Sequence, residues 1–504
     1  MTERDTNIVS ILEKSLSQLP QENFEEIGTV IKVGDGVCKI FGLTNAGFGE
    51  VITFDRGGKG TVLDIDEDFV SVALFEGVNT VLEESIAKRT GTVFSVPVGD
   101  ALLGRSVNAM GQPIDALGDI AIDHLMPIEH PVTGIIDRSP INESLETGIT
   151  AIDSIIPIGK GQRELLIGNR GTGKTAIVLD TILHQKGKDV ICIYVSIGHK
   201  QADTARIIHL LEKHGALEYT IIVNAGAKET SLNQYLAPYS GCSIGEYFMN
   251  KGKSVLIVYD DLSKHAIAYR ELSLLLRRAP GREAYPGDIF YIHSRLLERA
   301  GKLSVRLGSG SLTAIPIVQT QDDDISAYIP TNLISITDGQ IFLDTNLFNS
   351  GIRPAVNIGL SVSRVGSAAQ TKAIKSVAGS LKLELAQYNE LLAFAQFGSE
   401  LDKASQCALD RGRRAGEILK QAEHETYSFV DQTIFLFMLK ENYLDKLEYN
   451  EIKTYVVKFA SFVQSTQQET YNNIFTSMKL QEEDIAQLKK AAEEFGVIYA
   501  TQSA

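Results

Sequence analysis

The stretch Arg163–Thr175, RELLIGNRGTGKT, decides how the rest of the chain is read. Leu165, Leu166 and Ile167 form an apolar run of strand type. It leads into GNRGTGKT, which fills the pattern G-x-x-x-x-G-K-[ST] with Gly168, Gly173, Lys174 and Thr175. Glycines at those places let the backbone turn tightly and aim its N–H groups at phosphate oxygens with no Cβ in the way. Lys174 supplies a point charge for the β- and γ-phosphates, and the Thr175 hydroxyl a ligand for Mg²⁺. Asn169, Arg170, Gly171 and Thr172 complete the loop as candidate nucleotide contacts. The next residues, TAIVLDTILHQ, carry Ile177, Val178 and Ile182 at spacings that suit a buried helix, whose positive N-terminus would face the phosphates. Strand, loop and helix in that order predict a site for a nucleoside di- or triphosphate.

On either side of this loop, from about Thr90 to Gln370, strands alternate with helices. VICIYVSIG, YTIIVNAG and SVLIVYDD read as buried strands, and TARIIHLLEKHG and the stretch from Tyr235 to Met249 as helices. Such alternation predicts a parallel sheet covered on both faces, with ligands at the carboxyl ends of its strands. SVLIVYDD ends there in acid. Asp260 is placed to hold Mg²⁺ or its water shell, whereas Asp261 suits the N-cap of the next segment. Further on, GIRPAVNIGLSVSRVGSAAQ (351–370) sets Arg353 and Arg364 among apolar and small residues, where a guanidinium is costly unless it meets an anion. Two readings stay open for them: an internal salt bridge, or an arginine finger that reaches the γ-phosphate of a site in this chain or in a neighbouring subunit.

The outer regions read differently. Residues 5–19 place Ile8, Ile11, Leu12, Leu16 and Leu19 on one helical face and stop at Pro20, so 1–23 is expected to be a helix that packs on its own domain or docks a partner. From 24 to 92, β-branched runs broken by glycine every eight to twelve residues predict a small antiparallel barrel or sandwich without chemistry of its own. A nucleotide-binding domain is expected over 93–370. From 371 to 504 strands disappear. AIKSVAGSLKLELAQYNELLAFAQF carries Ile374, Val377, Ala378, Leu381, Leu385, Tyr388 and Leu392 at helical spacing, with Gly398 as a stop, so this part is expected to be all-helical. At 504 residues several cores are required. A net charge of −15 argues against a general nucleic-acid binder, and no apolar run is long enough to span a bilayer. The N-terminus shows neither signal nor transit character. Cys38, Cys192, Cys242 and Cys407 lie far apart without metal-ligand spacing, which fits a reducing compartment and no metal besides nucleotide-bound Mg²⁺.

Several stretches together resemble the alpha subunits of F-type ATP synthases across essentially the full length. They are GTVIKVGDGVCKIFGL (28–43), ETGITAIDSIIPIGKGQRELLIGNRGTGKT (146–175), LIVYDDLSKHAIAYRELSLLLRRAPGREAYPGDIFYIHSRLLERA (256–300), LISITDGQIFLDTNLFNSGIRPAVNIGLSVSRVGSAAQ (333–370) and LKLELAQYNELLAFAQFGSELD (381–402). The resemblance implies a β-barrel crown, a RecA-like P-loop domain and a C-terminal helical bundle. It implies alternation with beta subunits in a three-plus-three ring around a gamma shaft, with the N-terminal helix docked on the delta subunit of the stator. It implies a peripheral position on the cytoplasmic side of a bacterial inner membrane, in a complex that couples ATP synthesis from ADP and phosphate to an H⁺ or Na⁺ gradient. The subunit's own site is implied to bind Mg-ATP or ADP without efficient turnover, with Arg353 near that nucleotide and Gln421 near the adenine. Arg364 is implied to act in the neighbouring beta site, with Ser361 required for that action. The catalytic paralogue carries a glutamate where His199 stands, so a non-catalytic site is expected.

The sequence also departs from the usual alpha pattern. It reads GNRGTGKT for GDRQTGKT, with Asn169 and Gly171, and has His199, His265 and Glu423 in place of glutamines. A weaker nucleotide than usual is therefore expected. Two further functions compete with the regulatory one: a self-sufficient homo-hexameric ATPase, which would need a carboxylate at His199, and a structural ring spacer with a vestigial P-loop.

Overall fold

In the computed structural model the described residues are 26–396 and 402–503. The expected helix at 5–19 and the stop at Gly398 lie outside them. The protein separates into two compact units, Met1–Phe94 and Ser95–Ala504. Among the described residues no helix is long and apolar enough to cross a membrane.

The first unit is a closed antiparallel barrel of β1 (Ile27–Gly34), β2 (Val37–Phe41), β3 (Glu50–Phe54), β4 (Lys59–Ile65), β5 (Phe69–Glu76) and β6 (Ile86–Val93), ordered β1-β2-β5-β4-β3-β6. Closure removes the free sheet edges that strands this short would otherwise expose. Alternation along each strand sends Val30, Ile40, Ile52, Val62, Val72 and Leu74 inward, where they form one core. Arg89 holds the carboxylates of Glu26 and Glu50 at 2.8 and 3.0 Å.

The second unit begins with β7 (Ser95–Val98), β8 (Ser106–Val107) and β9 (His124–Pro127), and β7 pairs with β9. Its main sheet adds β10 (Leu165–Asn169), β11 (Val190–Ile197), β12 (Thr220–Ala225), β13 (Ser254–Asp260), β14 (Gly301–Lys302), β15 (Ser311–Thr320), β16 (Gly339–Leu343) and β17 (Val362–Ser363). The order is β17-β16-β10-β15-β13-β11-β12-β8, with β14 beside β15. All pairings from β8 through β16 along that path are parallel, whereas β17 and β14 run antiparallel at the margins. Strands covered on both faces have no use for polar alternation, which is why Leu165, Ile193, Ile222, Leu256 and Ala314 are fully buried. Helices Lys174–Leu183, Gln201–Lys213, Ser231–Asn250 and Leu262–Leu275 connect the strands.

From Lys372 the second unit is helical to Ser503 over the described residues, and helices Phe429–Lys440 and Tyr449–Thr466 carry much of its core. Ser428 and Asp431 form a reciprocal capping box at the start of Phe429–Lys440. The run read as one helix from Ala373 onward is two, Lys372–Ala378 and Leu381–Gln396. The break falls at Gly379-Ser380, residues whose helix propensity is low enough for packing to decide the matter.

Candidate functional site

The phosphate loop leaves β10 at the centre of the sheet and enters helix Lys174–Leu183. At Gly168 any side chain is excluded, because a Cβ would lie 2.6 Å from the carbonyl oxygen of Leu343. Gly173 turns the backbone into the helix with φ 95°, a conformation glycine adopts at no steric cost. Asn169 works as an anchor for the loop. Its Oδ1 accepts hydrogen bonds from Thr320 Oγ1 at 2.8 Å and from the Asp323 N–H at 2.9 Å, and its Nδ2 donates to Thr345 Oγ1 at 3.0 Å. The side chain thus ties the loop to the ends of β15 and β16. Thr172 donates to the Asn169 carbonyl at 2.8 Å, while Arg170 and Gly171 are exposed.

Lys174 is buried, and its ammonium donates to the carbonyl oxygens of Gly168, at 2.8 Å, and Asn169. Burial pulls its pKa down to about 8, and the charges of Asp261, Asp260 and Asp323 act in the opposite direction. An anion in the loop would add to that opposing effect and favour the charged lysine.

Beyond the lysine, Asp260 closes β13 with 2% of its surface exposed. Its Oδ2 accepts from Thr175 Oγ1 at 3.1 Å and from the Tyr194 hydroxyl at 2.6 Å, and its Oδ1 faces His199 Nε2 at 3.0 Å. Burial opposes the charge, but His199, Tyr194 and Thr175 outweigh it and hold the carboxyl below its ordinary range. The other imidazole nitrogen, Nδ1, lies 3.1 Å from Lys264 Nζ. An ammonium only donates, so Nδ1 accepts and the ring proton belongs on Nε2, pointed at Asp260. Asp261 accepts from the Lys264 N–H at 2.8 Å and caps helix Leu262–Leu275. Donor atoms of His199, Asp260 and Asp261 lie within 4.8 Å of one another. Mg²⁺ prefers oxygen and keeps several waters, so the Asp260 carboxylate and Thr175 hydroxyl fit it and the His199 nitrogen does not.

On the far side of Gly173 the loop opens into a cavity of about 420 Å³, reaching from Thr172 and Ala176 past Phe348 and Arg353 to Gln421 and Glu423. That volume suits a small ligand. The Arg353 guanidinium lies over the Phe348 ring, 4.5 Å from its centroid. Gln421 lines the cavity with its amide already committed: Oε1 accepts from Thr150 N–H at 3.1 Å and Thr150 Oγ1 at 3.3 Å, and Nε2 donates to the carbonyls of Gly148, at 2.7 Å, and Glu425. Asp180 Oδ1 is held by the His424 N–H at 3.0 Å and faces His424 Nδ1 at 3.1 Å. Burial, with Glu423 adding to it, raises the Asp180 carboxyl despite those two contacts.

Comparison with known proteins agrees with this layout. The sequence matches the beta-barrel domain of the ATP synthase alpha/beta family over 23–91 and the family's nucleotide-binding domain over 148–363. It matches the family's C-terminal domain over 370–495. The chain belongs to the ATP synthase alpha/beta family. It is 53% identical to ATP synthase subunit alpha of Acetivibrio thermocellus over 494 residues, 98% of either protein. It is 54% identical to ATP synthase subunit alpha of Caldanaerobacter subterraneus subsp. tengcongensis over 478 residues, 95% of this protein and 94% of that one. Within the family its likeness is thus to F-type alpha subunits, as the resemblance implied.

In this alpha-type protein the segment 351–370 is a surface loop with one short edge strand, β17, and both of its arginines are exposed. The desolvation cost expected from the apolar run is therefore not incurred. Neither guanidinium forms an ion pair among the described residues. That of Arg364 makes no hydrogen bond among them either, while its backbone N–H donates to the Asp338 carbonyl at 2.8 Å. Ser361 is fully buried. Its hydroxyl donates to Asn357 O at 2.6 Å and accepts from the Phe342 N–H at 2.9 Å, pinning the loop to β16 three residues before Arg364. Sequence reasoning did not find Tyr194, Lys264 or Asp180. Tyr194 looks like any apolar strand residue, and only the pairing of β11 with β13 brings it to Asp260. Lys264 had one faint signal, its place three residues after a helix-capping aspartate.

Proposed function

We propose that this protein is the regulatory, nucleotide-binding alpha subunit of a rotary F-type ATP synthase. Its own site binds Mg-ATP or Mg-ADP without turning it over, and Arg364 acts in the catalytic site of an adjacent beta subunit. In this reading Gly168 to Thr175 receive the phosphates, with Lys174 as their charge partner and the N–H groups of Gly173 to Thr175 at the helix N-terminus. Thr175 and Asp260 would hold Mg²⁺, which would neutralise phosphate charge when bound. The nucleoside occupies the cavity between Arg353 and Glu423.

One observation carries the non-catalytic half: His199, where a general base would stand, has both nitrogens committed, to Lys264 and Asp260. A proton acceptor must be within reach of the attacking water and free to accept. The exposed, unpaired Arg364 supports the other half. Its guanidinium is available to an anion on another subunit, in contrast to that of Arg163, which is paired with Asp338. Alternation with beta subunits, the gamma shaft, a delta contact through the N-terminal helix and a peripheral place on the cytoplasmic face of the inner membrane belong to the same proposal. So does coupling to a transmembrane gradient of H⁺ or Na⁺.

Equilibrium titration of the isolated subunit with a fluorescent Mg-ATP analogue tests the binding site. Binding without hydrolysis is expected, weaker than is usual for alpha subunits, and weakened further by Lys174→Gln. Turnover by the isolated subunit would contradict the proposal, and undiminished assembly and activity with Lys174→Gln would favour the spacer reading.

A further inference from the structure

Arg364 is free at its guanidinium, yet its backbone is tied indirectly, through Ser363 and Asp338, to the residues just ahead of β10. Gln162 is fully buried, with its amide oxygen and both amide hydrogens engaged. Its Oε1 accepts from the Gly159 N–H at 2.8 Å, and its Nε2 donates to Glu164 Oε2 at 2.7 Å and to Ser363 Oγ at 3.0 Å. Ser363, the residue before Arg364, extends the series of bonds: its hydroxyl donates to the Pro157 carbonyl at 2.9 Å and accepts from the Gly366 N–H at 3.1 Å. Arg163 meanwhile clamps Asp338, with Nε to Oδ2 at 2.9 Å and Nη2 to Oδ1 at 2.8 Å, and Asp338 supplies the carbonyl that receives the Arg364 N–H. Ser363 and the Arg364 N–H thus both lead back to residues 162–164.

Glu164 is the member whose presence needs a reason. It is fully buried and its Oε1 has no partner, an arrangement the fold alone would not favour. Gly339 is pressed against it, since a Cβ there would lie 2.5 Å from Glu164 Oε2. Burial raises the Glu164 carboxyl well above its ordinary range, and of the neighbouring charges Asp338 adds to the rise while Arg364 opposes it. What Glu164 achieves locally is orientation. By accepting one Nε2 hydrogen while Gly159 holds Oε1, it leaves the other hydrogen of Gln162 aimed at Ser363.

We propose that Gln162 and Glu164 are positioning residues for Arg364, which set the loop through Ser363 Oγ so that the guanidinium is already held out when an anionic phosphate of the neighbouring subunit arrives. Preset donors of this kind cost no reorganisation at the moment of reaction. The inference rests on the finger reading of Arg364.

The test is a double-mutant cycle on ATPase activity of the assembled complex with beta and gamma, using Gln162→Met and Ser363→Ala, each alone and with Arg364→Ala. Ser363→Ala removes one hydroxyl from a half-buried edge residue and keeps the test alive should Gln162→Met fail to assemble. Either variant is expected to lower kcat by about tenfold to a hundredfold, leave KM unchanged, and add nothing once Arg364 is alanine. The same fold loss in both backgrounds, or a loss confined to KM or to thermal stability, would overturn the positioning role and leave the finger standing. No loss from Arg364→Ala alone would remove the finger and this inference together.

Discussion

Two arginines of the second unit are treated in opposite ways. Arg299 is 5% exposed: its Nε donates to Glu246 Oε1 at 3.0 Å, Nη1 to the Ile128 carbonyl at 2.6 Å, and Nη2 to Ser243 Oγ at 2.8 Å and to the Glu246 carboxylate. His130 closes the other side of that carboxylate at 2.7 Å. Arg364 stands in solvent, gripped only through its backbone. A cation inside the fold must be neutralised there, since removal from water costs several kcal/mol. A cation held outside incurs no such cost until a partner supplies the anion. The placement of the counter-charge therefore separates an arginine that serves the fold from one left free for an anion from outside it.

Breaking the buried cluster should give the largest effect. Arg299→Met leaves the buried Glu246 carboxylate with His130 as its one remaining partner, so a loss of about 3 kcal/mol is expected in urea unfolding. Lys174 is the intermediate case, a buried cation with only carbonyl partners. Lys174→Met should leave stability nearly unchanged while weakening Mg-ATP binding by about 2–3 kcal/mol, measured by titration.

The His130–Glu246 contact makes the comparison sensitive to pH. The hydrogen bond to Glu246 raises His130 above its ordinary 6.5, and His130 and Arg299 hold Glu246 low against the effect of burial. The His130 contribution is thus present below pH 6.5 and lost as pH rises through its raised value. The Glu246 contribution is lost as pH falls through its lowered value. His130→Gln should flatten the alkaline side of the stability profile and, because His130 is one of the two groups that hold Glu246 low, also reduce the loss on the acid side. At the exposed rim of the cavity beyond Gly173, Glu423→Gln removes a negative charge near the proposed site of a polyanionic ligand and should tighten Mg-ATP binding a few-fold, less at high salt. The smallest effect belongs to Arg364→Ala, which should change unfolding stability by no more than about 0.5 kcal/mol.

What could be read from sequence follows the same division between local and assembled features. Gly168, Gly173, Lys174 and Thr175 were legible because a phosphate loop is a short stretch whose backbone geometry demands those residues. Asp260 and Asp261 were separable because a strand end and a helix cap are local positions too. The partnership of Tyr194 with Asp260 was not legible, because it arises between strands 66 residues apart. The Asn169 side chain, in a residue expected to contact nucleotide, also anchors the loop, a role set by Thr320, Asp323 and Thr345 from other elements. The two arginines of 351–370 were expected to bear a desolvation cost, because the string around them is apolar. Exposure of a loop is a property of the assembled sheet, and no local pattern reports it.

The central claim is that Arg364 serves another subunit's chemistry. The most direct test is the ATPase rate of the reconstituted complex with beta and gamma carrying Arg364→Ala, with assembly and unfolding stability measured on the same preparation. A loss of about a hundredfold or more, with stability and assembly intact, is the predicted result. An unchanged rate would contradict the account and return Arg364 to the status of a surface charge.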